Sequence, residues 1–366
     1  MENQTNRISR RQFFFIIIQT QIGVGVLTMP FELHTAAKQD GWMSLLAAGI
    51  IIQIILILFW LLAKRHSELD YFQIQETVLS KWIGKFFSVF YIIYFIGVGV
   101  LILIMYGRMI SLWVLPNTPF WVLSGMMVFV SLYIVCCRFI VLARVYTMFS
   151  FLLIFMIFFI FYTVKDIQYI YLFPMGQTGF KKILMGIDHG IIALLGFIVS
   201  LMIYSQVEGK AKDKLKTIIY AHWAVTLFYL AVVLVTFTVF STAEMALVSE
   251  PVLYMLKSYQ FPVLARVDLF FIALWMVFVA TSYSSYLYMS TLGMRRLINK
   301  NKPKLYMFII AILTFITSLS IGYDVTKLNV FSTYVAKSGY VFSVGLPILV
   351  LIVSLLRKKT KKEGAA

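Results

Sequence analysis

Runs of about twenty apolar residues recur along the whole chain, separated by short polar stretches that collect lysine, arginine, glycine and proline. A helix needs about 20 mostly apolar residues to cross roughly 30 Å of hydrocarbon. Runs of that length fall near 12–31, 42–63, 86–107, 117–137, 145–164, 184–205, 217–240, 266–290, 305–322 and 338–356. Lipid offers unpaired backbone groups no partner, so such runs predict helices. A β-barrel is excluded by the pattern itself: barrel strands alternate apolar and polar residues, whereas Ile50–Leu62 and Phe149–Tyr162 are almost continuously apolar. The prediction is an all-α integral membrane protein of about ten transmembrane helices, forming a single domain over residues 1–366. Only the stretch 241–265, which a shallow dip into the membrane would suit, leaves the count open by one.

The longer connections carry the polar signal. Lys64–Lys85 is polar with an apolar set (Tyr71, Phe72, Ile74, Val78, Leu79, Trp82) that suits a short helix on the membrane surface. Gln206–Lys216 is lysine-rich, Asp166–Lys182 holds Pro174, Gly176 and Gly179, and Ser241–Arg266 holds Glu244, Glu250, Pro251 and Pro262.

Charge then fixes an orientation. Hydrophobic residues make up 61% of the chain, yet its formal net charge is +17. With the N-terminus placed in the cytoplasm, 23 of the 32 basic residues fall on that side, from Arg7, Arg10 and Arg11 to Arg357, Lys358, Lys359, Lys361 and Lys362. The positive-inside rule therefore predicts that both termini are cytoplasmic. The same distribution explains the basic excess as topology and contact with an anionic bilayer, not as a nucleic-acid surface. Ser9-Arg10-Arg11-Gln12-Phe13-Phe14 superficially matches a twin-arginine export signal. With no cleavage site and nine further runs behind it, it reads as an anchor.

Little catalytic chemistry is on offer. The two cysteines, Cys136 and Cys137, are adjacent and read as small buried residues; two neighbouring thiols are too few for a metal site. Gly23-Val24-Gly25 lacks the strand context of a dinucleotide loop. No nucleophile–base pair, metal cluster or cofactor motif is found, so neither an enzyme nor a cofactor is expected.

The first and sixth runs are the informative ones. The first carries Gly23, Gly25 and Pro30; the sixth carries Gly190 and Leu195-Gly196-Phe197. They open two sets of five runs, about 12–164 and 184–356, and an odd number of crossings makes the two sets enter from opposite sides. Glycine-interrupted helices at matching places in two such halves point to a 5+5 inverted repeat of the LeuT/APC-like kind with helices 1 and 6 interrupted. Unwinding there frees backbone groups at mid-membrane, which neighbouring protein or a bound ligand must satisfy. A small zwitterion suits such a place, its carboxylate at a half-helix N-terminus and its ammonium on carbonyls. Close helix packing is the other reading of the same glycines.

Ile22-Gly23-Val24-Gly25-Val26-Leu27-Thr28-Met29-Pro30 resembles the G-x-G-[LV]-L-T-[LM]-P signature of the B subunits of spore germinant receptors. These form the GerAB-like family, a branch of the amino acid–polyamine–organocation transporter superfamily. Tyr94-Phe95-Ile96-Gly97-Val98, Leu195-Gly196-Phe197 and Arg266-Val267-Asp268-Leu269-Phe270 agree with it, so the resemblance covers essentially the whole chain. It departs where the family often has an acid after the Gly-Phe of span six (here Ile198), a glutamate before the arginine of span eight (here Ala265), and an aromatic before the outer proline (here Glu250). These positions bear on which ligand is bound.

The resemblance implies a nutrient-sensing subunit that binds a small germinant, an amino acid, and works with A and C subunits in the spore inner membrane. It adds Tyr94, Val98, Ser282 and Tyr286, from the spans that flank the cavity in the superfamily, to Gly23, Val24, Gly25, Leu195, Gly196 and Phe197 as ligand-binding candidates. An active amino acid permease and a scaffold that binds no nutrient are the alternatives. Mid-membrane charge costs about 2.5–3.5 kcal/mol per residue and usually marks an ion or proton path. Because the run centres carry none, the sequence favours a sensor over a carboxylate-driven pump. Asp188 and His189 read as an interfacial pair that helps to start span six. Arg266 and Asp268, two apart, should not face each other on a helix. The crowded hydroxyls Thr281–Tyr288 read first as interhelical glue, worth about 0.6 kcal/mol per bond.

Overall fold

The computed structural model describes residues 7–259, 266–298 and 302–357. Among them every regular element is helical, and the one isolated bridge joins Ile8 to Val207. In order the α-helices are α1 Arg10–Gln21, α2 Gly25–Ala37, α3 Gly41–Arg65, α4 Tyr71–Val78, α5 Lys81–Trp113, α6 Phe120–Val135, α7 Phe139–Phe149, α8 Leu152–Tyr162 and α9 Phe180–Ala193. They continue as α10 Val199–Met202, α11 Ala211–Val239, α12 Thr242–Met245, α13 Pro251–Lys257, α14 Val267–Ile298, α15 Pro303–Ile321, α16 Val325–Tyr340 and α17 Leu346–Leu356.

These make ten crossings. Seven described stretches are each long and apolar enough to span a membrane. The other three crossings are the 16-residue α6 and two that are cut in half: α1 with α2, and α9 with α10. Large apolar side chains such as Ile54, Phe129, Phe151 and Ile316 point outward, where water would be unfavourable and acyl chains are not. The interior is built on α5 and α14, whose Phe95, Trp275 and Tyr283 are fully buried.

The chain starts and stops its helices by ordinary means. Ser9 with Gln12, Asp70 with Gln73 and Ser241 with Glu244 form capping boxes for α1, α4 and α12. Pro251 and Pro303 open α13 and α15 in the first turn, where their missing N–H is not needed.

Crossings one and six run antiparallel in close register. Gly25 lies against Ala193, and Gly196 against Thr20 and Gln21. At the end where the chain begins, Ile8 exchanges two backbone bonds with Gln206 and Glu208. At the other end the turn between α2 and α3 is clamped to the loop before α9. Buried Asp40 accepts from the Gly176 and Thr178 amides at 2.8 and 3.2 Å.

Several expectations are corrected. α4 exists, but its apolar face (Tyr71, Phe72, Ile74, Val78) is buried against the bundle instead of lying on lipid, and of the expected set Trp82, already in α5, is the exposed member. The tenth crossing starts at Val325, well before the expected 338. Its first half is too polar for a hydropathy window because it faces the interior cavity described below. A π-helical turn over Val341–Gly345 joins α16 to α17. The Phe342 carbonyl accepts from the Tyr91 hydroxyl at 2.7 Å, and Ser343 pairs with Tyr94 at 3.0 Å.

In the connection 241–265, α13 packs its buried face on α2, α11 and α14. Arg266 does meet Asp268, by a two-pronged contact at 2.9 and 2.7 Å, because it precedes the helix and folds back onto it. Cys136 is only partly buried and Cys137 is exposed. Of the positions singled out in the sequence, Pro262, Ala265, Lys358, Lys359, Lys361 and Lys362 lie outside the described residues.

Candidate functional site

The two interruptions lie side by side at the floor of an interior cavity. α1 ends at Gln21, Ile22 turns extended, and the helix is interrupted over residues 22–24 before α2 begins at Gly25. Opposite, α9 ends at Ala193 and a set of tight turns carries the chain through 194–198 to α10. Gly196 makes this approach possible. Its φ is +111°, and a Cβ there would stand 2.6 Å from the Thr20 carbonyl oxygen, so only glycine fits.

Carbonyls freed by the first break are taken by side chains. Ser282 Oγ donates to Thr20 O at 3.1 Å, Tyr229 OH to Gln21 O at 3.1 Å, and Trp275 Nε1 to Gly23 O at 3.1 Å. The Tyr229 oxygen also accepts from the Gly23 amide at 3.4 Å. Further hydroxyls tie α1 to α14: Thr20 with Ser285 at 2.7 Å, and Thr281 donating to Gln19 Oε1 at 2.6 Å. The crowded hydroxyls of α14 are thus chiefly interhelical bonds, as expected. At the second break, Gln21 Nε2 donates to Leu194 O at 3.2 Å. The side-chain oxygen of Gln21 is buried and has no partner.

Above this floor lies a cavity of about 660 Å³ bounded by α2, α5, α9, α14 and α16. Of the sequence-predicted residues, Gly23, Val24, Gly25, Val98, Leu195, Ser282 and Tyr286 line it. Three do not. Tyr94 is buried against Phe342 and bonded to Ser343, Gly196 lies beneath the floor against Thr20, and Phe197 is packed near Phe59 with ring centres 5.9 Å apart. Their part is to shape the break and its surroundings.

The lining divides by chemistry. α5 offers an apolar stripe, Val98, Leu101, Ile102 and Met105, ending one turn later in Arg108. The wall from α16 mixes Val335 and Ala336 with Asn329, Ser332 and Thr333. The mouth is charged: Glu32, Asp188, His189 and Lys337 join Arg108 there. Tyr340 OH donates to the Asp188 carboxylate, and His189 Nδ1 lies 3.9 Å from Glu32. Asp188 and His189 therefore belong to the cavity, not to the start of α9.

Sequence reasoning missed Gln21, Thr28, Glu32, Arg108, Lys337 and Tyr340. The signal for Glu32 was its helical phase, seven residues from Gly25 on one face of α2; that for Gln21 was an amide in an apolar run beside the glycines. The floor exposes the start of α2, which has no side-chain cap, to the cavity through Val24 and Gly25. Unmet amides at a half-helix N-terminus favour an anion. Among the described residues no group of acids, histidines and cysteines is arranged to hold a metal ion.

Comparison with known proteins agrees with this architecture. A family model described as "Spore germination protein" matches residues 7–324. The chain is 27% identical over 347 residues to the spore germination protein GerQB of Bacillus cereus, covering 94% of this chain and 95% of that one. It is 24% identical to the spore germination protein YndE of Bacillus subtilis, covering 99% and 100%. Among solved structures, a Na+-coupled sialic acid symporter in its substrate-bound outward-open state superposes with a TM-score of 0.62 at 13% identity, covering 97% of this chain and 79% of that one. A manganese transporter from Eremococcus coleocola gives 0.59 at 12% identity, covering 93% and 74%. The fold is that of all-α membrane transporters, and the chain belongs to the spore germination protein family.

Proposed function

We propose that this member of the spore germination protein family is the nutrient-sensing membrane subunit of a germinant receptor. It binds a small germinant, an amino acid, above the two breaks and passes occupancy to A and C partner subunits. It does so in the spore inner membrane with both termini cytoplasmic, its halves 12–164 and 184–356 forming one inverted-repeat domain.

One observation carries this reading. The cavity floor sets an uncapped helix start, at Val24 and Gly25, beside a buried acceptor without a partner, Gln21 Oε1, and the C-terminal end of α9 at Ile192 and Ala193. A carboxylate meets the first and an ammonium the other two. The stripe from Val98 to Met105 receives an uncharged side chain. Occupancy alters the bundle only through unequal affinity for its two states, and the charged mouth between α2, α9 and α16 is where closure would differ.

The likeness in fold to solved transporters supports a second reading, an amino acid permease with the same site. Against it stands the first break, where coupled transporters place ions on unwound carbonyls and this chain supplies Ser282, Tyr229 and Trp275. Spores carrying Gln21→Leu or Val98→Trp are expected to need at least about tenfold more of a single amino acid for half-maximal germination, the loss of one good polar or packing contact. Membrane levels of the protein should be unchanged. An unaltered dose–response would favour a scaffold that binds no nutrient. Saturable accumulation of labelled amino acid in vesicles would favour the permease.

A further inference from the structure

A second recess opens on the face of the bundle where the chain begins, remote from the cavity. It holds about 630 Å³ between the start of α1 and the length of α7, and is walled by Arg7, Arg11, Arg144, Glu208, Ile140 and Met148. The arginines differ in what holds them. Arg7 is paired with Glu68 at 2.9 Å, and neighbouring Arg10 with Asp213 at 3.1 Å. Arg11 and Arg144 come from different helices, face the same recess, and make no ion pair among the described residues. Glu208 is the one carboxylate in the lining.

A lone arginine near a membrane surface needs no explanation, since its stem lies on apolar surface and its head reaches water. Two unpaired guanidiniums converging on one recess do need one, because like charges brought together repel. The surroundings say what relieves the repulsion. From Met148 an apolar stripe continues outward through Phe151 and Phe155, which are 66%, 59% and 43% exposed. These positions follow one another at helical spacing from the end of α7, through the turn at Phe151, into α8, toward the hydrocarbon. A cationic recess that leads directly into a lipid-facing apolar track matches a molecule with an anionic head and an acyl tail.

We propose that this recess binds an anionic glycerophospholipid, with Arg11 and Arg144 on its phosphate and an acyl chain along Met148, Phe151 and Phe155. Such a lipid bridges α1 and α7, which pack on each other here. It thereby fixes the near half of crossing one, whose far end is the break at the cavity floor.

The test uses the purified full-length protein in dodecyl maltoside micelles doped with dioleoyl phosphatidylglycerol or dioleoyl phosphatidylcholine, read by melting temperature and native mass spectrometry. Phosphatidylglycerol is expected to raise the melting temperature saturably and to remain bound, whereas phosphatidylcholine does neither. The Arg11→Gln/Arg144→Gln variant should need about twenty-five-fold more phosphatidylglycerol for half the rise, about fivefold per charge removed. Arg144→Gln alone, expected to shift the midpoint about fivefold, keeps the test open if the double variant fails to fold. The control Lys181→Gln/Lys182→Gln, on the opposite face, should leave the midpoint unchanged. An equal shift in that control would reduce the effect to bulk charge. An equal rise with inorganic phosphate would make the recess a free-anion site. Either result overturns the proposal.

Discussion

The two interruptions do the same thing to the backbone and are held in opposite ways. The break in crossing six is mostly local: the turns over 194–198 close on their own backbone bonds, Gly196 supplies a conformation that other residues rarely adopt, and Gln21 Nε2 adds one bond from outside, to Leu194 O. The break in crossing one has no residue of positive φ, and its carbonyls are held from outside by Ser282, Tyr229 and Trp275. A break closed on itself is set by its own sequence. A break held by neighbours reports on where those neighbours stand, so it is the one suited to sense a change in the bundle.

The largest expected effect tests the self-closed break. Gly196→Ala forces an alanine to φ +111° and presses its Cβ on the Thr20 carbonyl. We expect a loss of about 3 kcal/mol or more, seen as little or no folded protein in membrane preparations. Gly25→Ala, whose added Cβ would sit 3.4 Å from Ala193 with no unusual φ, should change stability by less than about 1 kcal/mol. Equal losses for the two would erase the distinction.

The next effect tests the neighbour-held break. Trp275→Phe leaves the Gly23 carbonyl without its donor, and Tyr229→Phe does the same to Gln21. Each is expected to cost about 1–3 kcal/mol, read as a lower melting temperature in detergent. Because protein donors already fill these positions in the wild type, replacing sodium by choline at constant ionic strength should leave its melting temperature unchanged. A sodium-specific, saturable rise would mean that a cation shares the break.

The smallest effect concerns α13, which covers the far half of crossing one. Glu250 opens that helix and is buried, and burial raises its carboxyl above the ordinary 4.5 despite the opposing pull of Arg108. A raised acid favours the fold only while it is protonated. Its contribution is therefore complete below pH 4.5 and is lost as the pH climbs through the higher folded value. Glu250→Gln should melt about 1–2 °C above the wild type at pH 7 and level with it at pH 4.

The glycines at 23, 25 and 196 announced the breaks because they fall at matching places in the first and sixth runs, the openings of the two halves. The ten crossings were legible because lipid imposes a length and an apolar face. What escaped was whatever faces the cavity. Asn329, Ser332, Thr333 and Lys337 line it from α16, and their polarity pushed the expected start of crossing ten inward by a dozen residues. Tyr94 carried the resemblance yet turned toward Ser343, since a family pattern marks a position without saying which way its side chain points. Glu32, Arg108 and Asp188 come together from three helices, a convergence that spacing along any one of them does not reveal.

The π turn at Val341–Gly345 has a bearing on how the cavity wall moves. At that turn the regular backbone ladder of crossing ten has already been given up, with Tyr91 and Tyr94 standing in for part of it. The segment beyond it, α16, rests on α9 through the phenol of Tyr340 on Asp188. A swing of that wall therefore has its pivot built in: it would release a phenol from a carboxylate and slide α16 across α5, with no helix unzipped.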